Sequence, residues 1–315
     1  MTNYDELLDP GLRASLDQVP PQTTWNPALM RAQGETVVDH STQFDGVDVT
    51  VHELSTDEGG LEVRVMTPQG STPTALVMSI HGGGFVAGRA SYDDAWNAQV
   101  AQKTGAVVVS PDYRLAPEAP YPAGLDDCQA AWHWAVRTFR PSVTVLYGDS
   151  AGGCLAAALA LRLTDTQAPD SPNSLFLIEP VLDDRLETPS MVDGTATPVW
   201  DHANARASWA AYLGASEAGT SGSQRYAAPG RNVDLQRMPP TFILANQCDP
   251  LRDEDICFAR NLTNANVATE LLLLARTCHG LLGFQDVPVA DRAKNIVLNR
   301  LAEATRQATG RDDSR

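Results

Sequence analysis

From about residue 75 onward the chain alternates short β-branched runs with longer helical stretches. That alternation leaves few architectures open: a mostly parallel sheet whose crossover connections are helices lying against it. Strands are predicted over 75–80, 106–110, 143–147, 175–179, 241–247 and 269–274, and helices over 92–103, 125–139, 151–163, 254–264 and 289–307. Residues 47–54 and 61–66 alternate apolar and polar positions across Asp57-Glu58-Gly59-Gly60, which predicts an antiparallel hairpin at one edge of the sheet. The whole is an eight-stranded, mostly parallel α/β sheet flanked by helices, and in such sheets reactive groups collect at the carboxyl ends of the strands.

Two stretches break the alternation. Residues 1–45 hold Pro20-Pro21, Trp25 and the apolar Ala28-Leu29-Met30 without a strand of their own. Residues 184–238 place Trp200, Trp209 and Tyr212 on a helical pattern, followed by a Gly/Ser-rich loop over 219–223. Both are expected as helical additions over one end of the sheet. The division is therefore 1–45 as an N-terminal cap segment, 46–183 and 239–315 as two parts of one core, and 184–238 as a cap insertion. The tail over 310–315 is expected to be disordered.

The strongest chemical signal is Gly148-Asp149-Ser150-Ala151-Gly152-Gly153, a G-x-S-x-G between a predicted strand and an Ala/Leu-rich helix. A serine nucleophile on such a turn needs small neighbours, because the backbone there is strained and passes close to adjacent elements. The bland reading is a Ser N-cap on an ordinary helix. Upstream, the strand over 75–80 runs into His81-Gly82-Gly83-Gly84-Phe85, whose amides, free of side chains, suit an oxyanion. A dinucleotide loop fails here, since Gly82, Gly84 and Gly88 are spaced G-x-G-x-x-x-G, and a phosphate loop lacks its Gly-Lys-Ser/Thr.

A base for the serine must come from His40, His52, His81, His133, His202 or His279. Of these, His279 follows a strand late in the chain, beside Gly280, where a tight turn can present it. The orienting acid should leave a strand between Ser150 and His279. Asp249 does so after 241–247, with Asp183 and Asp184 as rivals after 175–179.

Together these residues resemble the hormone-sensitive-lipase-like group of α/β-hydrolase esterases, especially its bacterial carboxylesterases. The resemblance spans roughly residues 75–285 through HGGGF, Asp112-Tyr-Arg-Leu-Ala-Pro-Glu118, GDSAGG, Pro180-Val-Leu-Asp-Asp-Arg185, Asp249-Pro-Leu-Arg-Asp-Glu254 and His279-Gly280. It implies Ser150 as nucleophile, Asp249 as acid, His279 as base, and the amides of Gly83, Gly84 and Ala151 as oxyanion donors. It also implies a cap at the two irregular stretches, and no metal or cofactor. The chain departs from the pattern where an aromatic residue usually follows His279-Gly280: Leu281-Leu282-Gly283 intervene before Phe284. Asn246-Gln247-Cys248 stands before the acid where glycine is common, and Cys278 adjoins the base.

Composition narrows the partner. With 23 basic against 39 acidic residues the formal charge is −16, which repels phosphate backbones and anionic headgroups. Nucleic acid and membrane are not expected as partners; a small-molecule ester substrate is, and a homodimer is left open. The N-terminus carries neither a basic region nor an apolar one of a secretory signal, so a cytoplasmic protein is expected. Five cysteines without a C-x-x-C pair speak against a disulfide framework or structural zinc, and all five are expected buried.

The function these readings predict is hydrolysis of soluble, short-acyl or small aryl and alkyl esters through an acyl-enzyme, with activity falling at acid pH around the usual histidine value of about 6.5. The same triad would also serve an arylformamidase, an amidase or an acyltransferase. A ligand-binding receptor on the same fold is the reading outside catalysis. Trp25, Leu29, Met30, Trp200, Trp209 and Tyr212 are the candidates to line the substrate pocket or to anchor the cap.

Overall fold

The computed structural model describes residues 4–18, 25–37, 43–214 and 225–306. Its strands are β1 (Val47–Thr56), β2 (Gly59–Pro68), β3 (Ala75–Ile80), β4 (Val107–Pro111), β5 (Val143–Asp149), β6 (Ser174–Ile178), β7 (Thr241–Asn246) and β8 (Thr269–Leu274). The helices are α1 (Tyr4–Leu7), α2 (Pro10–Leu16), α3 (Pro27–Val37), α4 (Asp94–Thr104), α5 (Ala123–Phe139), α6 (Ala151–Asp165), α7 (Pro189–Asp193), α8 (His202–Leu213), α9 (Arg252–Asn264) and α10 (Pro288–Arg306). Every strand and crossover helix expected from the sequence is present, with ends within two residues.

One sheet runs in the order β1-β2-β4-β3-β5-β6-β7-β8. The β1–β2 hairpin lies at one edge as expected; β2 pairs antiparallel with both β1 and β4, and the remaining pairs are parallel. β3 and β4 exchange places relative to chain order. The direction of winding therefore reverses at β3, and the loop after β3 opens beside the loop after β5, the crevice where α/β sheets carry their sites.

Strand periodicity splits the core into two faces. Leu76, Met78 and Ile80 of β3 face α5, α6 and α9, whereas Ala75 and Val77 face α4 and α10. α5 offers a single stripe, Leu125, Cys128, Ala131, Trp132 and Ala135, at helical spacing. In α6 every residue from Ala151 to Leu161 is buried, so this helix is apolar on all sides. Each fully buried Leu or Phe contributes about 1.5–3 kcal/mol of transfer free energy, so the helix that follows Ser150 is held by apolar packing on every side.

The irregular stretches pack in distinct places. Leu8 and Leu12 join the core of the α4/α10 face, and Arg276 holds this segment by donating to the carbonyls of Leu7 and Leu8, at 3.2 and 3.1 Å. α3 instead lies by the glycine loop, where Arg31 donates to the Val86 and Ala116 carbonyls and pairs with Glu118. α7 and α8 sit at the carboxyl ends of β3 and β7. Pro20-Pro21, His40, the 219–223 loop and the 310–315 tail lie outside the described residues.

Four cysteines are buried and free, while Cys257 is half-buried on the outer side of α9, contrary to the expectation for all five. Among the described residues no helix is long and apolar enough to cross a membrane.

Candidate active site

Ser150 stands between β5 and α6 at φ 53°, ψ −117°, the left-handed region that a side chain rarely adopts. The turn tolerates nothing larger than glycine at positions 148 and 152. A Cβ at Gly148 would lie 2.2 Å from the Gly152 carbonyl oxygen, and one at Gly152 would lie 2.1 Å from that of Ile80. Backbone bonds fix the turn from both sides, Ser150 N donating to Ile178 O at 2.8 Å and Val181 N to Ser150 O at 3.1 Å. The Ser150 side chain makes no capping bond to α6, which removes the N-cap reading. Its Oγ lies 2.9 Å from His279 Nε2 instead.

β7 and β8 bring the other two groups together. Gln247 N donates to Leu274 O at 2.9 Å and Cys248 N to Thr277 O at 2.8 Å, zipping the two loops as the strands end. His279 Nδ1 then meets Asp249 Oδ2 at 2.8 Å, while Asp249 Oδ1 accepts the Leu251 amide at 3.0 Å. Ser150, His279 and Asp249 are all buried. The rivals are engaged elsewhere: Asp183 forks onto Arg185 and Asp184 onto Arg231. The other described histidines are also committed, His133 to Asp170 at 2.7 Å, His202 to the Met191 carbonyl at 3.1 Å and exposed His52 to Thr50 at 3.1 Å.

Burial lowers the His279 pKa, but the negative charges of Asp249, Glu179 and Asp149 outweigh it and hold the imidazole above its usual value. Glu179 is a buried carboxyl beside His279 that the sequence did not single out. It was read as the last residue of a strand; β6 ends at Ile178, and Glu179 turns inward at φ 40°. Fully buried, it accepts from the Gly280 amide and from Asn246 Nδ2, with Oε1 3.9 Å from His279 Nδ1. The available signal was an acid followed by Pro180 at the end of an apolar run, between two strands whose loops carry site residues. Asn246, a departure from the usual pattern, is thereby the partner of Glu179.

The glycine loop closes the site on the β3 side. The Ile80–Gly148 pairing sets it beside Ser150, and Gly83 and Gly84 take φ of 116° and 58°. Ala151 is the first residue of α6, so its amide has no partner within the helix and points with the helix dipole toward the serine. His81 is part of the scaffold: its ring stacks on Tyr113, whose hydroxyl donates to the His81 carbonyl at 3.0 Å, and burial holds the imidazole below its usual pKa.

The aromatic candidates divide by role. Tyr212 stacks on Phe85 at 4.0 Å with Trp209 alongside, and Ser208 Oγ donates to Gly84 O at 2.7 Å, so α8 anchors on the glycine loop. Trp200 is different: its ring lies 5.8 Å from that of His279 and would crowd a Cβ at Gly84 to 2.8 Å, so it roofs the reacting centre. Buried in the core of the α5/α6 face, it puts an aromatic ring beside His279 where none follows Gly280, and Leu281 turns into the core of the opposite face. Trp25 meets Trp200 edge-on at 6.1 Å, Met30 packs by Val86 and Ala116, and Leu29 is half exposed.

Among the described residues, Glu179, Asp249 and His279 form the one set of three potential metal donors, within 4.8 Å of one another. Their donor atoms are already engaged with one another and with Gly280, Asn246, Leu251 and Ser150. A groove of about 550 Å³ lies between α3 and the Asp112–Glu118 turn, but Ser150 and His279 do not line it, and its Arg31, Glu35, Arg89, Asp112 and Glu118 pair with one another.

A family model described as the alpha/beta hydrolase fold matches residues 77–283. Esterase LipI of Mycobacterium tuberculosis is 33% identical over 301 residues, covering 91% of this chain and 92% of LipI. Carboxylesterase NlhH of the same species is 36% identical over 236 residues, 73% of each chain. The solved structure of a bacterial heroin esterase superposes with a TM-score of 0.88 at 35% identity, covering 97% of this chain and 100% of that one. The chain belongs to the α/β-hydrolase family, in its hormone-sensitive-lipase-like group of esterases.

Proposed function

We propose that the protein is a serine carboxylesterase acting on small, soluble esters, with Ser150 as nucleophile, His279 as general base, Asp249 as orienting acid, and the amides of Gly83, Gly84 and Ala151 as oxyanion donors. The observation that carries this reading is the continuous hydrogen-bonded line Ser150 Oγ, His279, Asp249 at the N-terminus of α6. In acylation the Ser150 proton passes to His279 Nε2 as Oγ bonds to the ester carbonyl carbon. The carbonyl oxygen takes the negative charge against the three amides. Collapse breaks the carbon–oxygen bond to the alcohol, which leaves with the proton from His279. Water then attacks the acyl-serine by the same route, releasing the acid and restoring the serine.

α3, α7 and α8 form the cap in this reading, and Trp200 beneath it favours short acyl groups. The acidic surface agrees with an aqueous substrate in the cytoplasm.

A fluorophosphonate probe should add one equivalent to the native protein and none to Ser150→Ala, read by intact mass; a protein that only binds its ligand would stay unlabelled. Turnover of an ester should exceed that of the matched anilide, and added alcohol should not divert the acyl group, which separates the esterase from an amidase or acyltransferase. Since the base must be neutral and its pKa is raised, kcat/KM should climb with pH and reach half its plateau above the ordinary value of about 6.5. A profile already flat at that pH would contradict the assignment of His279.

A further inference from the structure

We propose that Glu179 is a positioning residue of the catalytic machinery, a second carboxylate that holds the His279-Gly280 turn and supplies negative charge to the imidazolium alongside Asp249. The inference rests on His279 being the base. Three observations support it. Glu179 reaches its place from a different strand end than Asp249, β6 rather than β7, so carboxyls from the ends of two adjacent strands converge on His279 at the end of the edge strand β8. Its backbone is held in a costly conformation at φ 40°, with its amide donating to Leu244 O at 2.7 Å, and the result is to turn the carboxyl inward. Finally, its two oxygens have separate partners: Oε1 takes the Gly280 amide directly after the base and faces His279 Nδ1 at 3.9 Å, while Oε2 takes the Asn246 side chain.

Desolvation pushes the Glu179 carboxyl up to about 8, with His279 pulling it down and Asp149 and Asp249 pushing it further up, so its ionised form depends on a nearby cation. The charge that answers it here is the imidazolium formed when Ser150 gives up its proton. Asp249 bonds Nδ1 and sets the tautomer; Glu179 contributes through charge and through the turn. The titratable groups around Glu179 are His279, Asp149 and Asp249, with Cys278, Asp255 and Tyr147 also within its field.

Glu179→Gln separates the two contributions. Its oxygen can still accept from Gly280, and its amide can pair with Asn246 Oδ1, which has no partner in the native protein. The expected result is a folded, fluorophosphonate-reactive protein whose acid limb of kcat/KM shifts down by about one pH unit, with kcat at the plateau lower by roughly tenfold and KM little changed. Glu179→Asp, which keeps the charge, should return the limb toward the native position. An unshifted limb with kcat within about twofold of native would overturn the proposal, because a purely structural Glu179 would not set the pH profile. Should E179Q fail to fold, ¹⁵N titration of His279 in the native protein decides: coupled steps are expected, and a single independent step overturns the proposal. A native protein inert to both ester and probe would instead sink the esterase reading itself.

Discussion

Trp200 comes from the loop before α8, is buried in the core, and places its ring beside Gly84 and His279, in the space that a longer acyl chain would need under the proposed reading. Trp200→Ala should raise kcat/KM for p-nitrophenyl octanoate relative to acetate by roughly tenfold or more, given that each methylene in an apolar pocket is worth about 1–3 kcal/mol. An unchanged ratio would mean that the acyl chain lies elsewhere. At this scale the sequence was legible where chemistry demands a pattern. The glycines around Ser150 are there because any Cβ would strike backbone, and His279 could be singled out as the late histidine after a strand. Glu179 was not legible, since a carboxylate at a strand end is ordinarily a solvated terminus; only the inward turn at φ 40° makes it part of the site. The direction of the His279 shift was hidden for the same reason, because the charges that raise it converge from β5, β6 and β7.

At the scale of elements, the strands and crossover helices were readable because their periodicity reflects burial on two faces of one sheet. How the irregular stretches dock was not, because their contacts, apolar packing and hydrogen bonds from polar side chains to loop carbonyls alike, join residues far apart in the chain. α7 illustrates this. Ser190 N donates to Asp253 Oδ2 at 2.8 Å, Ser190 Oγ donates to Pro250 O at 2.8 Å and accepts from Asp253 N at 3.0 Å, fastening α7 onto the start of α9 beside the Asp249 loop. Because Ser190 is buried, Ser190→Ala leaves a carbonyl and an amide without that partner and should cost about 1–3 kcal/mol, read by urea unfolding. No loss would show that the fastening is incidental. Residues 4–18 and 25–37 likewise belong to different neighbourhoods, one in the α4/α10 core and one over the glycine loop, although the sequence presents them as a single strand-free segment.

For the whole molecule, the net charge of −16 and a site roofed by Trp200 argue together against work at a lipid surface. With tributyrin, the rate should saturate smoothly as concentration passes the solubility limit; a jump in rate at that limit would place the enzyme at an interface instead. The eight-stranded sheet serves the chemistry by bringing the ends of β3, β5, β6, β7 and β8 to one place, so that residues more than a hundred positions apart form one hydrogen-bonded line. The central claim is that this line makes Ser150 a nucleophile. Its most direct test is kcat/KM of Ser150→Ala on p-nitrophenyl acetate, with folding verified by circular dichroism: the account predicts a loss of at least about 10⁴-fold with an unchanged spectrum, and turnover within about tenfold of native would contradict it.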